Sequence, residues 1–340
     1  MKLKILIPIL AIVFVAGCTI PGLDSLGLGG TTLLGGNGLE IVTFTAEPTP
    51  IFSGSAVRIT AEIENKGGTT VNNSSALVYL TGSNIDIGNT NGDYWYGKET
   101  KDRQSIRHFS KEMKPENVVR GTPADIERLY WSLVAPTITP GQTRLDTFIL
   151  RVYNEYSSGA NGNIWVYTNA EAEATRAAGR ALRTSSFTTV SGPIAVNVRL
   201  TPSAIVLYEN ENQFTFNIEI TNTQSGTIYK SGSIPLGTNN PNDLSLDADT
   251  ELNHVTVDVD TNGVLQISEC TSEQEIFGGR SMTLVCEVTI PTSSTPATFR
   301  SYPVNVKVNY GYYTEREASV TVQGKATSTS SSSTPPGNIV

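Results

Sequence analysis

The chain has 340 residues, with 24 Lys and Arg against 32 Asp and Glu, a formal charge of −8, and only 16% charged residues. An acidic chain with scattered cations suits neither a phosphate backbone nor an anionic lipid surface, which excludes nucleic acid as a partner and electrostatic docking to membranes. Low charge with abundant Thr, Ser, Asn and Gly fits an extracellular β protein better than a helical cytosolic enzyme.

Lys2 and Lys4 lead into an apolar run from Ile5 to Val15. Its eleven residues are too few for a membrane span, which needs about 20, but they fit the apolar region of a secretory signal. Val15-Ala16-Gly17-Cys18 closes it: aliphatic, small, small, cysteine. This resembles the signal of prokaryotic lipoproteins, and the resemblance implies cleavage after residue 17 and lipid on the Cys18 thiol. The expectation is an exported protein held on the outer face of the cell membrane by a lipid anchor. Residues 18–37 are Gly-rich without a period of 2 or 3.6 and read as a tether. Residues 324–340 are rich in Ser, Thr and Pro and read as a disordered tail.

Between these ends the pattern alternates. Val57 to Ile63 and Phe214 to Ile220 place apolar and polar residues in turn, as half-buried strands do. Each is followed by an Asn and a turn, at Asn65 and Asn222. Pro48 and Pro202 precede them at an offset of 154 residues. Leu129 to Pro136 matches Leu284 to Pro291, and Phe148 to Tyr156 matches Val304 to Tyr312. Ordered landmarks at a near-constant offset predict an all-β chain of two tandem immunoglobulin-like β-sandwiches, over 38–192 and 193–323, with the seam at Ser191-Gly192-Pro193.

The first copy carries additions. Thr81 to Pro115 reads as a polar excursion between strands, with Tyr94-Trp95-Tyr96 inside it. Thr122-Pro123-Ala124-Asp125 predicts a short helix. Thr168 and Glu171 form a capping box ahead of 172–178, with Gly179 as the stop. Trp131 and Trp165 read as core, and Tyr153, Tyr156, Tyr310, Tyr312 and Tyr313 as cover for sandwich edges with hydroxyls bonded to backbone.

The apolar strand with its Pro, the alternating strand ending in Asn, Trp131-Ser132-Leu133-Val134-Ala135-Pro136, the strand from Val152 to Tyr156 and the junction Ser191 to Ile194 together resemble archaeal surface proteins with S-layer-like or CARDB-type domains. The resemblance implies an envelope protein of structural or adhesive type and carries over no catalytic residue.

Several constellations carry chemistry of their own. Cys18 taken by lipid leaves Cys270 and Cys286 as an even pair, read as a disulfide. A loop of that length is worth about 3 kcal/mol on the chain-entropy model. Asp258 to Glu269 matches the twelve-residue calcium loop, with oxygen ligands at Asp258, Asp260 and Asn262, Gly263 at the turn and Glu269 at the end. The favoured reading is a β-hairpin, since Asn262-Gly263 lies between alternating runs. Calcium is thus the one cofactor weighed against none. Asp86, Asn89, Asn91 and Asp93 read as turn formers. Asn72 and Asn73 head overlapping glycosylation sequons. Tyr94, Trp95 and Tyr96 are either an exposed platform for a sugar or protein partner or a staple for their loop. His108 and His254 lie near no nucleophile motif, and no enzyme is expected. The sequence thus points to a non-catalytic, lipid-anchored surface protein in contact with other envelope proteins or surface glycans. An adhesin using the Tyr94–Tyr96 loop and an accessory subunit of an envelope enzyme or transporter complex are the competing readings.

Overall fold

A computed structural model describes residues 38–325, apart from 89–91, 118–119, 191, 210 and 269. The signal segment, Cys18, the tether and the tail beyond 325 lie outside the described residues. What is described is all β, with one α-helix and short 3₁₀ turns.

The first half supplies β1 (Leu39–Glu47), β2 (Ile51–Phe52), β3 (Ala56–Asn65), β4 (Ala76–Gly82), β5 (Tyr96–Gly97), β6 (Ile106–His108), β7 (Ile126–Val134), β8 (Thr143–Thr168), helix α1 (Asn169–Ala177) and β9 (Ser186–Val190). The second supplies β10 (Ile194–Arg199), β11 (Ile205–Leu207), β12 (Gln213–Asn222), β13 (Thr227–Tyr229), β14 (His254–Asp260), β15 (Gln266–Ser268), β16 (Ser272–Glu275), β17 (Ser281–Thr289) and β18 (Phe299–Gln323).

Each half builds an antiparallel four-stranded sheet, in the order β1-β3-β7-β5 and β10-β12-β17-β15. Strand for strand the two orders correspond. A third sheet serves both halves, in the order β16-β14-β18-β8-β4-β6, with β2, β9, β11 and β13 pairing alongside. Its centre is the antiparallel ladder of β8 and β18, unbroken from Phe299 opposite Tyr167 to Gln323 opposite Thr143. At about 3.3 Å per residue, 25 paired residues run roughly 80 Å. The expected repeat is visible here as a near-twofold arrangement about that ladder, with β14 and β16 flanking β18 as β4 and β6 flank β8.

The matched landmarks do equivalent work. Asn65 Nδ2 donates to the carbonyls of Thr69 (2.8 Å) and Met113 (2.7 Å), while its Oδ1 accepts from Gly67 N (3.0 Å). Asn222 Nδ2 donates to Gly226 O and Gly279 O (both 3.1 Å), and its Oδ1 accepts from Gln224 N (3.2 Å). In both halves the amide bonds the carbonyl four residues on and the N–H two residues on, closing the turn after the alternating strand. Pro48 and Pro202 both follow cis peptide bonds.

Two large cores lie between the sheets. One holds Ile59, Ile63, Trp131 and Phe148 of the first half, together with Val320 and Val322 from the end of β18. The other holds Phe216, Ile218, Cys286 and Val306 of the second half, together with Ala160, Ile164 and Val166 from the end of β8. Each half therefore completes its core with the last residues of the other half's longest strand. The expected boundary at 192/193 falls between β9 and β10, yet the apolar contacts cross it in both directions.

Local signals met different fates. The helix after Thr168 forms, with Thr168 Oγ1 accepting from Glu171 N (3.4 Å) and Gly179 at φ 71° just past its end. The short helix at Thr122–Asp125 does not. Asp125 instead accepts from Lys111 Nζ (2.7 Å) and Lys114 N (2.9 Å), and its carbonyl accepts from Asn65 N, so the chain enters β7 extended. The excursion from Thr81 to Pro115 is structured: β5 pairs with β7 of one sheet, and β6 pairs with β4 of the other.

Candidate functional site

The calcium-like segment does not fold into the expected hairpin. β14 pairs with β16 and β18, whereas β15 pairs with β17 in the facing sheet. Asn262 (φ 55°) and Gly263 (φ 70°) supply the left-handed turn, but the chain crosses between sheets instead of folding back. Thr261, 5% exposed, pins the crossing: its Oγ1 donates to Leu265 O (3.0 Å) and accepts from Leu265 N (3.3 Å). Leu265 is thereby placed in the second core. Asp260 Oδ1 accepts from Asn262 N (2.7 Å) within its own turn, and Asp258 pairs opposite Lys307. Glu269 lies outside the described residues, and among those described no three His, Cys, Asp or Glu side chains converge.

Just beyond β15, Cys270 is bonded to Cys286 of β17, with Cα atoms 5.1 Å apart and both residues fully buried. The disulfide fastens the crossing segment to the strand on which it lands.

The aromatic triplet is a staple. Trp95 is fully buried, donates Nε1–H to Asp146 Oδ2 (2.9 Å) and meets Phe148 edge-on at 5.1 Å. Asp146 is itself buried and accepts from Arg144 Nη2 (2.9 Å). No three-ring platform is presented: Tyr94 is 40% exposed and Tyr96 starts β5. Among the acidic-loop residues, Asn89 and Asn91 lie outside the described residues. Asn72 and Asn73 are exposed, and Asn72 Oδ1 accepts from both N and Oγ of Ser74 (3.1 Å each). Trp131 is buried, as expected of core, while Trp165 is only half-buried, with the Arg183 guanidinium 4.8 Å over its ring. His254 Nδ1 sits 2.8 Å from Leu252 O.

The tyrosines do not cover edges. They gather where β8 and β18 cross between the halves. Tyr156 and Tyr310 are partners across the ladder, rings stacked at 5.9 Å. The Tyr156 hydroxyl accepts from Leu39 N (2.7 Å) at the start of β1, and the Tyr310 hydroxyl from Ile194 N (3.1 Å) at the start of β10. Tyr312 accepts from Gly226 N (2.8 Å). The hydroxyls of Tyr156, Tyr310 and Tyr312 bond backbone as the sequence suggested, but at the junction of the halves. Burial pushes Tyr153 and Tyr312 up to about 12 and raises Tyr310 and Tyr229 as well.

One concave feature went unread in the sequence. Beyond β13, residues 230–253 leave the second half and lie across the face of β4, β6 and β8. Ile234, Leu236 and Leu244 bury themselves there against Leu77, Ile106 and Tyr153. The crossing strap is stiffened at its tip: Asp243 accepts from Thr238 Oγ1 (2.5 Å) and Asn240 Nδ2 (2.9 Å), and Pro241 opens a 3₁₀ turn. Pro241 divides the space beneath into two clefts of about 430 and 600 Å³ that share Tyr79 and Thr81. Arg103, Gln104 and Asn239 line the first; Thr147, Arg151 and Asn242 line the second. Behind Arg103, Asp102 and Arg107 form a pair at 3.6 Å, with the Asp102 side chain 3% exposed. Burial lowers the Arg107 guanidinium pKa and Asp102 opposes that shift. The signal available in the sequence was Asn239-Asn240-Pro241-Asn242-Asp243, a run of turn formers after an apolar pair.

No protein-family model matches the chain, and no curated protein matches it. Among solved structures, a Salmonella alpha-2-macroglobulin variant is similar at 7% identity and a TM-score of 0.17, covering 83% of this chain and 16% of its own. Native Escherichia coli alpha-2-macroglobulin is similar at 9% identity and 0.18, covering 84% and 17%. The Enterococcus faecalis MSCRAMM ACE, a structure whose description has it binding its ligands by the collagen Hug model, gives 13% identity and 0.15, covering 84% and 95%. The chain spans about a sixth of the length of these two macroglobulins.

Proposed function

We propose that this chain is a non-catalytic, lipid-anchored surface protein whose folded part works through contact with other envelope components. The observation that carries this reading is the β8–β18 ladder. A 25-residue antiparallel pairing that exchanges core residues between two halves makes one stiff body, suited to presenting surfaces at a fixed spacing. The buried Cys270–Cys286 disulfide supports folding in an oxidising compartment, and the Val15–Cys18 signal supports the lipid. Expression in a lipoprotein-processing host tests the anchor. The wild type is expected in the membrane fraction with a diacylglyceryl mass on Cys18, and Cys18→Ala in the soluble fraction; equal partition of the two refutes the anchor.

A second reading, a binding module, is favoured by the cleft beneath the strap. It moves the ligand contact from Trp95, which is buried, to Tyr79 and its neighbours.

A further inference from the structure

We propose that the trough divided by Pro241 binds a uronate-bearing saccharide, which deepens the binding-module reading and rests on it. The volumes suit a small ligand lying in an open groove. Tyr79 is half-buried on the floor shared by both clefts. A partly exposed phenol ring offers an apolar face to the C–H side of a pyranose while keeping its hydroxyl for a polar contact. Around it stand the amides of Gln104, Asn239 and Asn242. Each amide both donates and accepts, which matches neighbouring sugar hydroxyls that do the same.

The charge selects the acid. Among the described residues Arg103 is exposed and forms no ion pair, whereas Arg151, directly across the strand pair from Tyr79, is held by Glu315 at 3.0 Å. Arg103 is thus the cation left to bind a carboxylate, and a guanidinium does so with two parallel hydrogen bonds. Its backbone is fixed: a Cβ on Gly97 would stand 2.6 Å from Asp102 O, so the turn Thr100–Arg103 is packed directly on β5. The opposite wall is fixed by the bonds from Asp243 to Thr238 and Asn240. One carboxylate, Asp86, also lines the trough and limits how much negative charge the ligand can carry.

Calorimetric titration of the full chain with trigalacturonate, a glucuronate trisaccharide and the methyl ester of trigalacturonate tests this. At least one acid is expected to bind, with the ester at least tenfold weaker. Arg103→Ala, an exposed change that spares the fold, is expected to weaken acid binding at least tenfold, and Tyr79→Ala to abolish it. Failure of both acids to bind overturns the proposal, as does acid binding indifferent to Arg103→Ala. An ester that binds as tightly as the acid and is lost in Tyr79→Ala overturns the acidic class and leaves the binding module standing.

Discussion

Asn65 and Asn222 close the same turn in the two halves, but at different depths. Asn65 has no exposed surface, while Asn222 is half-buried. Removing a buried amide orphans its partners, at about 1–3 kcal/mol where water cannot replace it. Asn65→Ala strands the carbonyl of Thr69 and the N–H of Gly67, and takes one of two bonds from the Met113 carbonyl, which keeps Val71 N at 2.9 Å. It is expected to lower the unfolding free energy by about 3 kcal/mol in urea titration, and Asn222→Ala by about 1 kcal/mol because water reaches its site. Equal losses would show that depth does not set the cost. Both asparagines were legible in the sequence as landmarks, since each ends an alternating strand. The role of Trp95 was only half legible. A tryptophan between two tyrosines in a Gly/Asn-rich stretch is compatible with a staple or a platform, and the distant Asp146 and Phe148 decide for the staple.

At the scale of elements, what could be read was what is encoded locally. Helix α1 carries its cap and its stop within a dozen residues, and it forms where expected. β8 does not carry its own length. Its second half passes through Ser157, Ser158, Gly159, Asn161 and Gly162, residue types common in turns, yet it stays extended because β18 pairs with it throughout. The glycines are what the pairing requires: a Cβ on Gly159 would stand 2.3 Å from Val306 O, and one on Gly162 would stand 2.2 Å from Ser186 O. Asn262-Gly263 shows the converse. It fixes a turn but not the partner, and the burial of Leu265 sends β15 to the facing sheet. The disulfide that holds β15 there closes a loop of 16 residues. Replacing both Cys270 and Cys286 by Ala is expected to cost about 3 kcal/mol. Thermal unfolding of the wild type should fall toward that of the variant when reductant is added, and a variant as stable as the oxidised wild type would show that the bond adds nothing.

Over the whole molecule, the two halves form one body because the longest strand of each ends in the core of the other. β8 ends in the second core and β18 in the first, and the tyrosines sit at the crossing. Their hydroxyls hold the starts of β1 and β10, so an ionised phenol there would strike both halves at once. The unfolded chain loses these protons near pH 10, whereas burial holds Tyr153 and Tyr312 protonated up to about 12, and Tyr310 and Tyr229 are raised in the same direction. Above pH 10 the folded state therefore binds more protons than the unfolded state, and stability must fall as pH rises. The contribution of these groups is fully present below pH 10 and is lost as the pH passes through about 12. Urea unfolding between pH 8 and pH 12, followed by far-ultraviolet dichroism, is expected to show a level midpoint up to pH 10 and a declining one above it. Absorbance at 295 nm should show these phenols ionising only as the chain unfolds. Because the crossing belongs to both cores, the loss is expected as a single transition. Two separated transitions, with one half surviving alkali that melts the other, would mean that the exchanged strands do not bind the halves into one cooperative unit.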